Sequence, residues 1–242
     1  MTAEVTSGVV LVIALAVFVG AFVQAVVGLG VGLVAAPVVA AFEPQLMPVL
    51  PLFFGLLASG LSLRGEWHAV NWPAIGWSLP ARIPGTALGV WLVVIFTSRQ
   101  IAVAVGVMVL VAVVLSLRTV SVPITRTSLV GAGFASGVTG TATSIGGPPI
   151  ALLFQHRPPS EVRSTLSVFF FLGVVLGLGG LLLAGQVTWA SVQLAGLLAP
   201  VLLAGVWCGW RVRDRVPREQ FRNVVLVVCA VSALALLAKS LL

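Results

Sequence analysis

Charge is what this chain has least of. Asp, Glu, Lys and Arg together make up 8% of the 242 residues, against 60% apolar, far too few polar side chains to cover a soluble globule. The six acids are Glu4, Glu43, Glu66, Glu161, Asp214 and Glu219, and all stand at the ends of apolar runs or between them. Carboxylates inside membrane spans mark cation and proton routes, so their absence there argues against a cation carrier. Only two cysteines occur, Cys208 and Cys229, both inside apolar runs and without C-x-x-C spacing. That pattern excludes a disulfide framework or thiolate metal cluster and reads as buried free thiols. His68 and His156 lie near run ends, where a histidine is a solvated loop residue. No metal motif, nucleophile–base pairing or Gly-x4-Gly-Lys-Ser/Thr sequence is present. No enzyme activity, cofactor or metal is therefore expected.

What remains is a chain built for lipid. Mean hydropathy is +1.18. With no water in the hydrocarbon core, every backbone N–H and C=O must be bonded within its own segment or in a closed sheet. The apolar runs last roughly 17 to 25 residues, the length of a spanning helix, whereas barrel strands alternate over about ten. An all-α integral membrane protein follows. The net charge of +7 comes with no basic stripe interleaved with aromatics, so nucleic acid is not a partner and the arginines read as topology markers. The N-terminus carries Glu4, lacks a basic region and runs apolar past signal-peptide length, so no cleaved leader is expected. Residues 1–242 read as a single multi-pass domain of the cytoplasmic membrane, with a homodimer one option for its assembly.

Charged and Pro-rich punctuation divides the chain into about eight spans: 8–42, 47–63, 73–96, 100–117, 127–154, 164–184, 190–210 and 222–241. The first and fifth are too long for one crossing. Each carries a Gly-rich interruption, Gly28-Leu-Gly30-Val-Gly32 in one and Gly137-Val-Thr-Gly140 through Gly146-Gly147-Pro148-Pro149 in the other. Each therefore predicts a broken helix. An offset of 112 pairs Phe22 with Phe134, Val26 with Val138, Gly28 with Gly140, Pro37 with Pro149 and Phe42 with Phe154. An offset of 120 pairs Pro80, Gly85 and Gly89 with Pro200, Gly205 and Gly209. This ordered series predicts two four-span repeats, approximately 8–117 and 127–241, each opening with the Gly/Pro-broken helix. Simple crossings make the repeats parallel and re-entrant hairpins make them inverted, and the sequence leaves both open.

With the N-terminus outside, the cytoplasmic loops of an eight-span chain hold Arg99, Arg157, Arg163, Arg211, Arg213, Arg215, Arg218 and Arg222. The outer side holds Arg64, Arg118, Arg126 and Lys239. The excess of basic residues inside places both termini outside. Trp67, Trp72, Trp77, Trp189, Trp207 and Trp210 cluster near run ends, where indoles anchor the interface. The GxxxG spacings at Gly85/Gly89, Gly173/Gly177 and Gly205/Gly209 read as close helix contacts.

Chemistry is expected at the second break. Proline supplies no N–H and suits the first helical turn, so Pro148 and Pro149 open a helix whose positive end faces Gly146 and Gly147. That is an anion site, with a packing kink as the alternative. Ser136, Thr139, Thr141, Thr143 and Ser144 precede it. Thr141 and Ser144, nearest the break, are the candidate donors, against the ordinary bond of such hydroxyls to an i−4 carbonyl. Arg82 is the one charge inside a span. From Ile83 to Phe96 a helix rises only about 21 Å, short of the roughly 30 Å core, so the guanidinium lies below the interface, either snorkelling or attracting anions.

The paired elements, Gly28-Leu-Gly30-Val-Gly32 with Pro37 and Gly140 through Gly146-Gly147-Pro148-Pro149, are followed by Pro159-Ser-Glu-Val-Arg163-Ser-Thr165 and Phe169-Phe170-Phe171. With these the chain resembles the TauE/SafE family of sulfite and organosulfonate exporters over essentially its whole length. The first half departs from the family pattern in having Ala35-Ala36 before Pro37. The resemblance implies a permease for a sulfur-containing or carboxylate anion, with Gly28, Gly30, Pro37 and Arg163 joining the binding residues. An anion channel and a non-transporting scaffold or assembly protein are the competing readings.

Overall fold

The computed structural model describes residues 7–28, 30–63, 67–117, 122–213 and 218–241. Glu4, Leu29, Arg64, Glu66, Arg118, Asp214 and Arg215 lie outside them. The described residues form ten α-helices and two short 3-10 turns, with no strand among them. In chain order the helices are α1 (Ser7–Val27), α2 (Val31–Phe42), α3 (Val49–Ser62), α4 (Trp72–Ile95), α5 (Ser98–Leu117), α6 (Arg126–Thr143), α7 (Gly147–Phe154), α8 (Pro159–Leu183), α9 (Trp189–Val212) and α10 (Arg218–Leu241).

Ten helices replace the eight expected spans because the two long apolar runs are each two helices. The run 8–42 divides at Gly28 and Gly30, both at positive φ (95° and 158°), where glycine alone is unstrained. The run 127–154 divides after Thr143. Ser144 turns left-handed (φ 63°), and Pro148 and Pro149 then start α7 in its first turn. Among the described residues five helices are long and apolar enough to cross a membrane: Gly8–Val27, Trp72–Ile95, Ser98–Ser116, Pro159–Leu183 and Trp189–Val212. At 14 residues α3 rises about 21 Å, and α2 and α7 are shorter still, so none of these three spans a roughly 30 Å core.

Local chemistry explains the other helix starts. Asn71 accepts from Ala74 N at the head of α4, Thr188 from Ser191 N at α9, and Thr125 and Ser128 form a capping box at α6, each filling donors that a first turn leaves open. Apolar residues of α1, α2, α3, α5, α9 and α10 make one buried cluster, including Ile13, Leu50, Phe54 and Leu202. A second joins α4, α6, α7 and α8 around Phe154, Leu166 and Phe169.

Helix directions follow from the contacts. α2 doubles back on α1, since a Cβ at Gly20 would meet Val31 Cα at 3.1 Å and Val34 Cβ at 3.4 Å. α7 doubles back on α6, with Gly146 against Gly140 and Ser136. α9 runs alongside α1 in the same direction, Gly205 on Phe18 and Gly209 on Phe22. α4 and α6 are likewise codirectional, with Gly133 on Ser78, Gly137 on Arg82 and Gly89 on Thr141. α3 opposes α8 (Gly55 on Val174, Gly60 on Phe171), and α5 opposes α10 (Arg99 Nε to Ser240 O, 2.6 Å; Gly106 on Leu237).

Candidate functional site

Both helix breaks open onto one central cavity of about 50 Å³. At roughly 10–15 Å³ per water, it has room for about three to five waters or a small oxyanion. Gly30, Gly32 and Leu33 line it from the first break, and Ser144, Ile145, Gly146 and Gly147 from the second. Gln24 closes it from α1, Pro51, Leu52 and Gly55 from α3, Arg82 from α4, and Phe170 and Val174 from α8. The two breaks touch: a Cβ on Gly32 would collide with the carbonyl oxygen of Ser144, so only glycine lets the segments approach this closely.

Arg82 supplies the charge. Its side chain is 2% exposed, so the guanidinium is buried in the bundle rather than snorkelling. Nη1 donates to Phe169 O at 3.3 Å, and Cζ stacks 4.6 Å from the Phe169 ring. Nε has no hydrogen-bond partner, and no carboxylate pairs with the group among the described residues. Two glycines make the slot that holds it. A Cβ on Gly173 would coincide with the guanidinium, and one on Gly140 would stand 3.1 Å from Nη2. A buried cation costs several kcal/mol unless a counter-charge reaches it, and the cavity is where such a charge fits.

The two breaks meet their backbone requirements differently. Gln24 Oε1 accepts from Val31 N at 3.2 Å, taking up one of the first-turn donors of α2. Ser136 Oγ donates to Gly146 O, which satisfies an acceptor and leaves the Gly146 and Gly147 amides as the donors at the head of α7, since the two prolines carry none.

The structure thus brings Gly30, Arg82, Gly140, Ser144, Gly146 and Gly147 together around the cavity. Other expected site residues stand elsewhere. Pro37 is buried inside α2, and Pro148 and Pro149 form the first turn of α7 outside the lining. Gly28 lies against the backbone of Arg163, where an added Cβ would stand 3.1 Å from the Arg163 Cα, so these two meet each other rather than the cavity. Thr141 faces Gly89 and Gly177 at the α4–α6–α8 contact, and its hydroxyl, like that of Thr86, is buried without a partner. Thr139 and Thr143 bond their own i−4 carbonyls. Ser144 Oγ donates to Pro48 O at 2.7 Å, so its proton ties α6 to the start of α3 and is not left for a substrate.

Gln24 is the lining residue that motif reading passed over. Its signal was present, a lone amide in an apolar run four residues before Gly28. Phe170 was visible only as part of the Phe169-Phe170-Phe171 run, and Val174, Pro51 and Leu52 had no signal, being apolar residues in apolar helices.

No curated protein and no solved structure matches the chain. A protein-family model does, that of the sulfite exporter TauE/SafE, over residues 12–236. That match takes in α1 through most of α10, with both breaks and Arg82 inside it, and so the chain belongs to the TauE/SafE family of sulfite exporters.

Proposed function

We propose that this protein is a secondary transporter that passes a small anion, sulfite, an organosulfonate or a related carboxylate, through the cavity between the two helix breaks. The observation that carries the reading is Arg82, a buried cation with no carboxylate partner among the described residues, placed where two Gly-rich breaks converge. Helix N-termini and a desolvated guanidinium both favour negative charge.

An inverted duplication supports transport by alternating access. Pairing α1–α5 with α6–α10 in order matches hairpin α1–α2 to hairpin α6–α7. It also matches α4 on α6 to α9 on α1, two contacts made through corresponding glycines, Gly85 and Gly89 against Gly205 and Gly209. The matched helices α3 and α8 run in opposite directions, as do α5 and α10, the sense expected of repeats related by an axis in the membrane plane.

The hairpins also change the topology. Arg99 and Lys239 lie on the face that holds the head of α1, and Lys239 Nζ donates to Ala41 O there at 2.5 Å. Arg126, Arg157, Arg163, Arg211, Arg213, Arg218 and Arg222 belong to helix ends on the opposite face. Among the described residues this asymmetry favours a cytoplasmic face at the α9–α10 connection and both termini outside.

The test is uptake into proteoliposomes of sulfite, sulfoacetate and small carboxylates by the protein and by Arg82→Gln. Saturable uptake that Arg82→Gln reduces at normal expression supports the reading. Uptake of none of these anions, or kinetics unchanged by Arg82→Gln, removes it.

A further inference from the structure

We infer that the cavity selects singly charged oxyanions, so that an anion with a second acidic proton is taken as its half-protonated form and any proton moved with it rides on the substrate. This deepens the anion reading above and rests on it.

Two observations carry the inference. The first is stoichiometry of charge: among the described residues Arg82 is the one ionisable residue that lines the cavity. A single anionic charge neutralises it. A dianion would leave one negative charge in a small, largely apolar enclosure, with Ile145, Leu33, Leu52, Pro51, Phe170 and Val174 around it, where uncompensated charge is heavily penalised.

The second is the absence of a proton-carrying group at the site. From α1 the lining side chain is the Gln24 amide, and from the α6–α7 break the Ser144 hydroxyl. On the elements packed around Arg82 the buried hydroxyls are Ser78 and Thr86 of α4, Ser136, Thr141 and Thr143 of α6, and Ser164, Thr165 and Ser167 of α8, none of which titrates near neutral pH. The cation Arg163 of α8 stands against Gly28, outside the lining. Cys229 of α10 lies behind α2 with Sγ 3.7 Å from Leu33 O and outside the lining. Glu161 stands at the head of α8, bound to Asn71 and Arg157. Among the described residues no carboxylate or imidazole is in position to take a proton from the anion, so for sulfite the exchange H⁺ + SO₃²⁻ = HSO₃⁻ takes place in water before entry.

The experiment is ligand-induced melting of the purified full-length protein in detergent, titrated at about pH 6 and about pH 8 with formate, nitrate, sulfate and sulfite. Formate and nitrate keep one charge over this interval and should show the same midpoint at both values. Sulfite loses its second proton near neutrality, so its midpoint should rise roughly five- to tenfold at the higher pH as the singly charged form is depleted. Sulfate should bind more than tenfold more weakly than nitrate. Sulfate as good as nitrate, or a sulfite midpoint that stays level or falls, overturns the inference while leaving an anion site. A nitrate midpoint that moves with pH as sulfite does overturns it too, by placing the titration on the protein. A chain whose melting responds to none of the four loses the anion reading and this inference together.

Discussion

Gly173→Ala gives the most direct test of how the charge is held. The added methyl would fall on the Arg82 guanidinium, overlapping Cζ, Nε and Nη1. Arg82 has little room to yield, since Gly140 closes the other side so nearly that an added Cβ there would stand 3.1 Å from Nη2. The variant must push the guanidinium off the Phe169 ring and its carbonyl, or move α8 away from α4. Overpacking of this kind costs about 1–3 kcal/mol, which for a chain of this size lowers the melting temperature by about 2–4 °C per kcal/mol. The mechanism is isolated by a double-mutant cycle with Arg82→Ala. With the guanidinium gone, the methyl enters vacated space, and Gly173→Ala should then cost close to nothing, leaving a coupling of about 1–3 kcal/mol between the positions. Melting of the four purified forms without ligand measures it. An equal loss from Gly173→Ala in both backgrounds would refute the reasoning, because the methyl would then be clashing with something other than Arg82.

Ser144→Ala should act on the scaffold and not on the substrate. It removes the bond to Pro48 O, costing about 0.5–1.5 kcal/mol of stability, with the anion concentration at half-maximal melting shift unchanged. A weakened anion response at unaltered unliganded melting would put the hydroxyl on the substrate instead. For topology, a cysteine placed at Gln220, near the head of α10, should resist an impermeant thiol reagent applied to intact cells and react after permeabilisation. Labelling from outside would invert the orientation.

The helices were readable from the sequence because lipid imposes long apolar runs, and the breaks were readable because Gly28, Gly30, Gly146, Gly147 and the proline pair are poor material for a continuous helix. The reversal of direction at each break was not. Whether a Gly-rich kink continues or turns back depends on what it packs against, here Gly20 against Val31 and Gly146 against Gly140, and such contacts leave no periodic trace. Arg82 stood out as the one charge in a span, but its burial is decided by two distant glycines, Gly140, which reads as part of the break, and Gly173, which reads as helix contact. Thr139 and Thr143 make the i−4 bonds expected of such hydroxyls, whereas the candidate donor Ser144 found a carbonyl 96 residues away in sequence.

The contact between α4 and α6 has a mechanical consequence. Gly85, Gly89, Gly133 and Gly137 bring backbone against backbone along it, with Gly85 on Phe134 O and Gly133 on Ser78 O. Interfaces of large side chains lock like gear teeth, and sliding them requires each tooth to be lifted from its hole. Here few teeth exist. The seam that carries Arg82 is therefore set by backbone contact rather than by interlocked rotamers, and any side chain larger than hydrogen at these four positions would push α4 and Arg82 away from α6.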